Sequence, residues 1–295
     1  MRQKTHLLAA MVLLGITIIW GAGFSATQLA MDAGAPVLWI LMVRFLIGTA
    51  FLFCVFHRRI LRTGFRTVLR GCGAGAMLIA AFCFQTLGQA RSSVSTTSFL
   101  TSTYVVMLPF FQWLFTGQRP KTRVFLLCIM TLLGVLMISA GEDFSIRMGA
   151  GEWIVLACAV LYGLHIVYLG TVCRKDDPVQ TAFWQLLAAG IGCALLIVSG
   201  GVGISSEAIR GMLVPCLFLG ILSTGVCYLG QSWGQTRMPP AQASVIMSAE
   251  GMFGMIFSLL LGLESFRWRM LAGGLLVTLS VILVSLAPQE ETEKS

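Results

Sequence analysis

The 295 residues are 57% hydrophobic and only 11% charged, with a formal net charge of +8. A soluble domain carries roughly 25% charged residues, so this chain lacks the polar surface that a water-facing globule needs, and its mean hydropathy of +0.88 marks an integral membrane protein. The positive charge does not indicate a nucleic-acid partner, because the basic residues cluster between apolar runs, as at Arg58, Arg59, Arg62, Arg66 and Arg70, without an interleaved aromatic face.

Arg2 and Lys4 precede an apolar run that continues to Ala30. That is longer than the apolar core of a signal peptide, about 7–15 residues, so the run reads as an uncleaved first span. A helix needs about 20 apolar residues to cross the hydrocarbon layer. This length yields ten spans in order, at 7–30, 36–57, 69–90, 94–116, 122–140, 150–171, 178–199, 212–236, 240–262 and 268–287. The expected fold is therefore all-α and integral to the membrane, with ten transmembrane helices, short connections and a polar tail at 289–295. Fourteen of the twenty Lys and Arg residues fall at the N-terminus, in the even-numbered connections or in the tail. The odd-numbered connections hold five (Arg91, Arg147, Arg210, Arg267 and Arg269), and Arg44 lies within a span. The positive-inside rule then puts both termini in the cytoplasm.

The chain repeats itself. Trp20-Gly21 matches Tyr162-Gly163 and Pro36 matches Pro178 at an offset of 142, while QTLGQAR at 85–91 matches QSWGQTR at 231–237 at an offset of 146. Arg123 and Arg269 keep the second offset. Each half holds five spans, and an odd number makes the second half enter the membrane from the opposite side. Two inverted five-helix repeats, 1–142 and 148–288, are expected, a construction typical of secondary transporters.

The motifs in these repeats are IWGAGFSATQLA and APVLWILMVRFLIG in the first two spans, STTSFLTSTYVVMLPFFQWLFTGQRP in the fourth, and SAEGMFGMIFSLLLGLESF in the ninth. Their order and spacing resemble the drug/metabolite transporter superfamily, specifically its EamA-type ten-helix transporters, over nearly the whole chain. Two departures stand out: Gln118 where the family's first repeat has Glu, and Gly251 where a proline follows the acid at Glu250. The resemblance implies a secondary transporter, most often an exporter, of small metabolites such as amino acids or amphipathic compounds across the bacterial inner membrane by alternating access. Its partners are then a small-molecule substrate and the lipid bilayer, with oligomeric state left open and a monomer among the options.

Two charges fall inside spans. Glu250 lies near the bilayer middle, about ten residues into its helix at about 1.5 Å per residue. A charge there costs at least about 2.5–3.5 kcal/mol on insertion scales, so Glu250 is a candidate for proton coupling or cation recognition, or alternatively a packing carboxylate. Arg44 reaches similar depth; it pairs with Glu250, holds a substrate carboxylate through its planar fork, or serves the scaffold, the last being favoured by its place in the R-F motif. Gln85 and Gln231 are candidates to line a substrate cavity, and Gln89 and Gln235, one turn on, to act as interface or cap residues. Trp20, its repeat mate Tyr162, Tyr104 and Trp233 complete the cavity set. His165 reads as a hydrogen-bonded helix residue, and the hydroxyl run from Ser92 to Tyr104 either bonds the preceding turn or faces water.

No cofactor is expected. The nine cysteines contain no C-x-x-C pair and the three histidines lie far apart, which gives no metal-ligand pattern. A phosphate-binding G-x-x-x-x-G-K-[ST] is absent, as are the H-E-x-x-H and G-x-S-x-G patterns of intramembrane hydrolysis. The expectation is a carrier and not an enzyme, with a facilitative channel-like permease or a non-transporting scaffold as the alternatives.

Overall fold

Apolar runs in lipid must satisfy their own backbone groups, and a helix does this within one segment. The computed structural model describes residues 2–117, 119, 122–139, 149–263 and 265–285, and its elements follow that rule. In order they are α1 (Arg2–Asp32), α2 (Val37–Ile60), α3 (Phe65–Gln89), α4 (Val94–Ser102), α5 (Tyr104–Thr116), α6 (Thr122–Ser139) and α7 (Ala150–Thr171). Then come α8 (Pro178–Gly200), α9 (Ser206–Phe218), a π-helical segment (Leu219–Val226), α10 (Cys227–Gln235), α11 (Pro240–Met247), α12 (Glu250–Leu260) and α13 (Trp268–Ser285). No strand occurs among the described residues.

Among the described residues eight spans are long and apolar enough to cross a bilayer, with α4–α5, α9–α10 and α11–α12 each running on as one. The terminal helices of the two repeats, α6 and α13, carry shorter apolar stretches, Thr122–Gly134 and Leu271–Ser280. They pack on each other, with the Gly273 carbonyl oxygen 2.7 Å from where a β-carbon of Gly134 would sit. The eighth span differs from expectation: it begins at Ser206 and not near 212. The cause is a cap, since the Ser205 hydroxyl accepts from the Ala208 amide at 3.1 Å. The expectations placed on Gln118, Arg147, the 140–148 junction and the 289–295 tail fall outside the described residues.

The connections gather at two ends, as inverted repeats require. At one end Arg59 meets Asp177 at 2.6 Å and Arg70 meets Asp176 at 3.2 Å, joining the last turn of α2 and the start of α3 to the α7–α8 connection. At the other, Ser92 donates to Glu152 at 2.7 Å and the Trp39 indole donates to the Val202 carbonyl at 2.8 Å. Large apolar side chains such as Leu114, Val198, Val214 and Leu260 point outward and are at least 74% exposed, while Arg44, Gln85, Gln231 and Glu250 are buried. A water-soluble protein has the reverse arrangement.

Candidate functional site

Hydroxyls break two helices at matching positions of the repeat. In the fourth span Ser98 donates to the Ser95 carbonyl, Ser102 to Ser98 and Thr103 to Leu100, at 3.0, 2.9 and 2.6 Å. In the ninth, Ser244 donates to Ala241 and Ser248 to Val245, at 2.9 and 2.7 Å. Such back-bonding competes with the helical ladder and bends helices. Within the hydroxyl run of the sequence, Ser98, Ser102 and Thr103 thus bond their own backbone, while Ser92 bonds Glu152 and Thr101 receives Gln85. The new helices start at Tyr104 and Glu250, which are repeat mates at the 146 offset, and Tyr104 hydrogen-bonds to the Glu250 carboxyl group.

Pro215 and the π-helical segment shape the other wall. A π-helix re-aims side chains and often marks a functional position. Here it presents Ser223 and Thr224 to α2, which comes close because a β-carbon at Gly48 would lie only 2.9 Å from the Gly220 carbonyl oxygen. Arg44 Nε donates to the Thr224 hydroxyl at 3.0 Å and Nη2 to the Ser223 hydroxyl at 3.1 Å. Its guanidinium lies over Phe82, 4.4 Å from the ring centre. Among the described residues no carboxylate pairs with Arg44, so the Arg44–Glu250 ion pair entertained from sequence is not made; two hydroxyls and a ring face hold the cation instead. The Trp20 indole donates to the Ser223 carbonyl at 2.9 Å, which fixes α1 to the same segment.

These groups surround one cavity of about 40 Å³, lined by Trp20, Gly23, Phe24, Thr27, Arg44, Phe82, Gln85, Tyr104, Tyr162, Ile166, Ser223, Tyr228, Gln231 and Glu250. Five pairs of that lining are repeat mates: Trp20 with Tyr162, Phe24 with Ile166, Phe82 with Tyr228, Gln85 with Gln231, and Tyr104 with Glu250. The cavity therefore lies where the two halves meet, at the breaks in the two discontinuous spans. Arg44, Ser223, Gly23 and Thr27 are the members without a lining mate, so the polarity is lopsided.

The symmetry also fails at the two glutamines, with a chemical consequence. Gln85 donates to the Thr101 hydroxyl at 3.2 Å and accepts from the Tyr162 hydroxyl at 3.3 Å. At the mates of those partners stand Met247 and Trp20, and neither offers Gln231 the same bond. Gln231 is 2% exposed, and among the described residues its Oε1 has no partner. A buried acceptor left unpaired is costly, and in a cavity wall it is a place for a donor on a ligand.

Of the seven cavity residues expected from sequence, the structure brings Trp20, Gln85, Tyr104, Tyr162, Gln231 and Glu250 together, with Arg44 beside them. Trp233 lies elsewhere, in a cleft at the arginine-rich end. Two residues along a helix of 3.6 per turn is a rotation of about 200°, so Trp233 is turned away from Gln231. Gln89 and Gln235 make the same bond twice, to the Phe24 and Ile166 carbonyls, at 2.8 and 2.9 Å, and thereby tie α3 to α1 and α10 to α7. His165 Nε2 is 2.9 Å from Gln185 Oε1 behind the cavity wall. Sequence reasoning missed Phe82, Ser223 and Tyr228 as cavity residues. Phe82 and Tyr228 were detectable as 146-offset mates one turn before the glutamines; Ser223 depends on the π-helical segment, which no pattern announced.

An all-helical membrane bundle with a buried polar cavity between inverted repeats defines a membrane transporter. Comparison with known proteins agrees. The chain belongs to the EamA-like transporter family, whose profile matches residues 7–140 and again 149–286. It is 28% identical over 273 residues to an uncharacterized transporter of Archaeoglobus fulgidus, covering 92% of this chain and 83% of that protein. It is also 26% identical over 290 residues to the uncharacterized transporter YvbV of Bacillus subtilis, covering 97% and 94%. A solved crystal structure shares the fold with a TM-score of 0.77 at 16% identity, over 94% of this chain and 98% of that one.

Proposed function

We propose that this chain is a secondary transporter that exports a small metabolite carrying both a carboxylate and an amine or similar donor, such as an amino acid or an amphipathic relative. Transport is across the bacterial inner membrane by alternating access, with both termini in the cytoplasm. The observation that carries this reading is the cavity shared by both repeats, in which, among the described residues, Arg44 has no carboxylate partner and Gln231 Oε1 has no donor. Arg44 offers its fork to a carboxylate, Gln231 accepts from an N–H or O–H, and Glu250, held by Tyr104, takes an ammonium group or a proton. Trp20, Phe82, Tyr162 and Tyr228 give an apolar portion an aromatic wall.

The cavity volume of about 40 Å³ is far below the roughly 300 Å³ of an ordinary small-molecule site. Substrate therefore enters only when the halves 1–142 and 148–288 part, which couples binding to the motion that carries it across. A single chain completes the site, so a monomer suffices. The test is saturable uptake of a metabolite panel into proteoliposomes, with and without a pH gradient. Zwitterions are expected to saturate the wild type, and Arg44→Gln to weaken them at least tenfold. Equal handling of zwitterions and uncharged analogues, with no effect of Arg44→Gln, overturns the reading.

A further inference from the structure

A second cavity, of about 410 Å³, opens at the arginine-rich end between the C-terminal ends of α2 and α10 and the start of α8. Its polar wall is Arg59, Arg174, Asp176, Thr236 and Arg237, and its apolar wall is Pro178, Val179, Leu229 and Trp233. The acids there are already engaged. Asp176 receives Arg70 at 3.2 Å and the Thr67 hydroxyl at 3.0 Å. Asp177 receives Arg59 at 2.6 Å and caps α8 through the Val179 amide at 2.8 Å. Arg237 lies over the Trp233 ring, 4.1 Å from its centre, and donates to the Trp233 carbonyl at 3.0 Å and the Thr236 hydroxyl at 2.7 Å. Among the described residues neither Arg174 nor Arg237 has a carboxylate partner, so the cleft carries surplus positive charge against an apolar wall.

The inverted repeat supplies an internal control. The mates of Arg59, Arg174, Trp233 and Arg237 at the opposite end are Gly201, Asp32, Leu87 and Arg91. One arginine survives there, an acid replaces another, and the indole is gone. Pro178 and Val179, by contrast, keep their mates Pro36 and Val37. The helical frame of the cleft thus belongs to the fold, while most of its charge and its aromatic ring stand on one face only.

We propose that this cleft binds the phosphate headgroup of an anionic glycerophospholipid. Arg174 and Arg237 hold the phosphate oxygens, the Trp233 indole sits at the headgroup level where such amphipathic rings concentrate, and an acyl chain runs along Leu229 and Val179. Basic pockets between helices on the cytoplasmic side are suited to anionic headgroups. The volume is ample for a headgroup, and the position beside the α2–α8 and α8–α10 contacts lets the lipid bridge elements of both repeats.

The experiment uses the full chain in phosphatidylcholine vesicles containing brominated phosphatidylglycerol or, separately, brominated phosphatidylcholine, with tryptophan emission as the readout. Phosphatidylglycerol should quench more than phosphatidylcholine does, and Trp233→Phe should abolish the excess. Each of Arg174→Gln and Arg237→Gln should lower the preference for phosphatidylglycerol about fivefold, the factor for one surface arginine. Arg210→Gln, at the opposite end, is the folding-matched control and should change nothing. Inorganic phosphate in the buffer distinguishes the two sources of this chemistry. If phosphate removes the excess at constant ionic strength, the cleft serves a soluble phosphate and the lipid assignment is overturned. Equal quenching by both lipids, or an excess that survives the Arg174 and Arg237 changes, overturns it as well.

Discussion

Replacing Gln231 with Met separates the demands of folding from those of transport. Gln231 is buried, and its Oε1 accepts no hydrogen bond from the described residues. An unsatisfied buried polar group costs about 1–3 kcal/mol, and Met fills nearly the same volume without that penalty. The cavity of about 40 Å³ admits water, each molecule needing about 10–15 Å³, and water relieves part of the cost. The expected gain is thus at the low end, about 1 kcal/mol. The same change at Gln85 removes a donor to Thr101 and an acceptor for Tyr162, and should destabilise by about 1–3 kcal/mol. Paired thermal melts of the purified proteins in one detergent measure the contrast, and proteoliposome uptake measures function. Gln231→Met should melt above the wild type, Gln85→Met below it, and both should transport poorly. If Gln231→Met melts well below the wild type, the amide has a structural partner and its role as an open acceptor is wrong.

Further outcomes follow from the same geometry. Glu250→Gln should flatten the dependence of uptake on an imposed pH gradient, while Tyr104→Phe, which keeps the acid but removes its hydrogen bond, should alter that profile and not erase it; unchanged profiles in both would remove Glu250 from coupling. Gly23→Ala should block closure of the cavity, because its β-carbon would lie 2.9 Å from the Ser223 hydroxyl oxygen, and trapping by a reactive cysteine placed at Thr27 would report the opening. Asp177→Asn should cost under about 1 kcal/mol, since the Arg59 pair is solvent-exposed and Asn still caps α8. Asp177→Ala should cost about 1 kcal/mol more, and equal effects would mean that the cap contributes nothing.

What the sequence discloses here depends on the physical scale of the signal. Span positions are legible because a bilayer demands a long apolar run, and the eighth, with Pro215 and the π-helical segment inside it, began furthest from its expected place. The inverted repeat was legible because the 142 and 146 offsets are constant, and six of the seven expected cavity residues converge for that reason. What stayed hidden was rotational and local. Trp233 sits two residues from Gln231 and faces another cleft, and Arg44 is held by two hydroxyls and not by a carboxylate because a π-helical segment carries Ser223 and Thr224 to it. The breaks before Tyr104 and Glu250 are written in paired serines, Ser98 with Ser244 and Ser102 with Ser248, but a serine run alone does not say whether its hydroxyls face water or its own backbone.

The central claim, that the two repeats exchange access to one shared site, is tested most directly by counterflow. Proteoliposomes loaded with an unlabelled substrate found in the uptake panel are diluted into a trace of the labelled compound. A carrier of this design should show a transient accumulation of label above equilibrium, saturable in substrate and lost in Arg44→Gln. Label that only equilibrates, at a rate proportional to concentration and indifferent to what is inside, would identify a channel-like path and contradict the account.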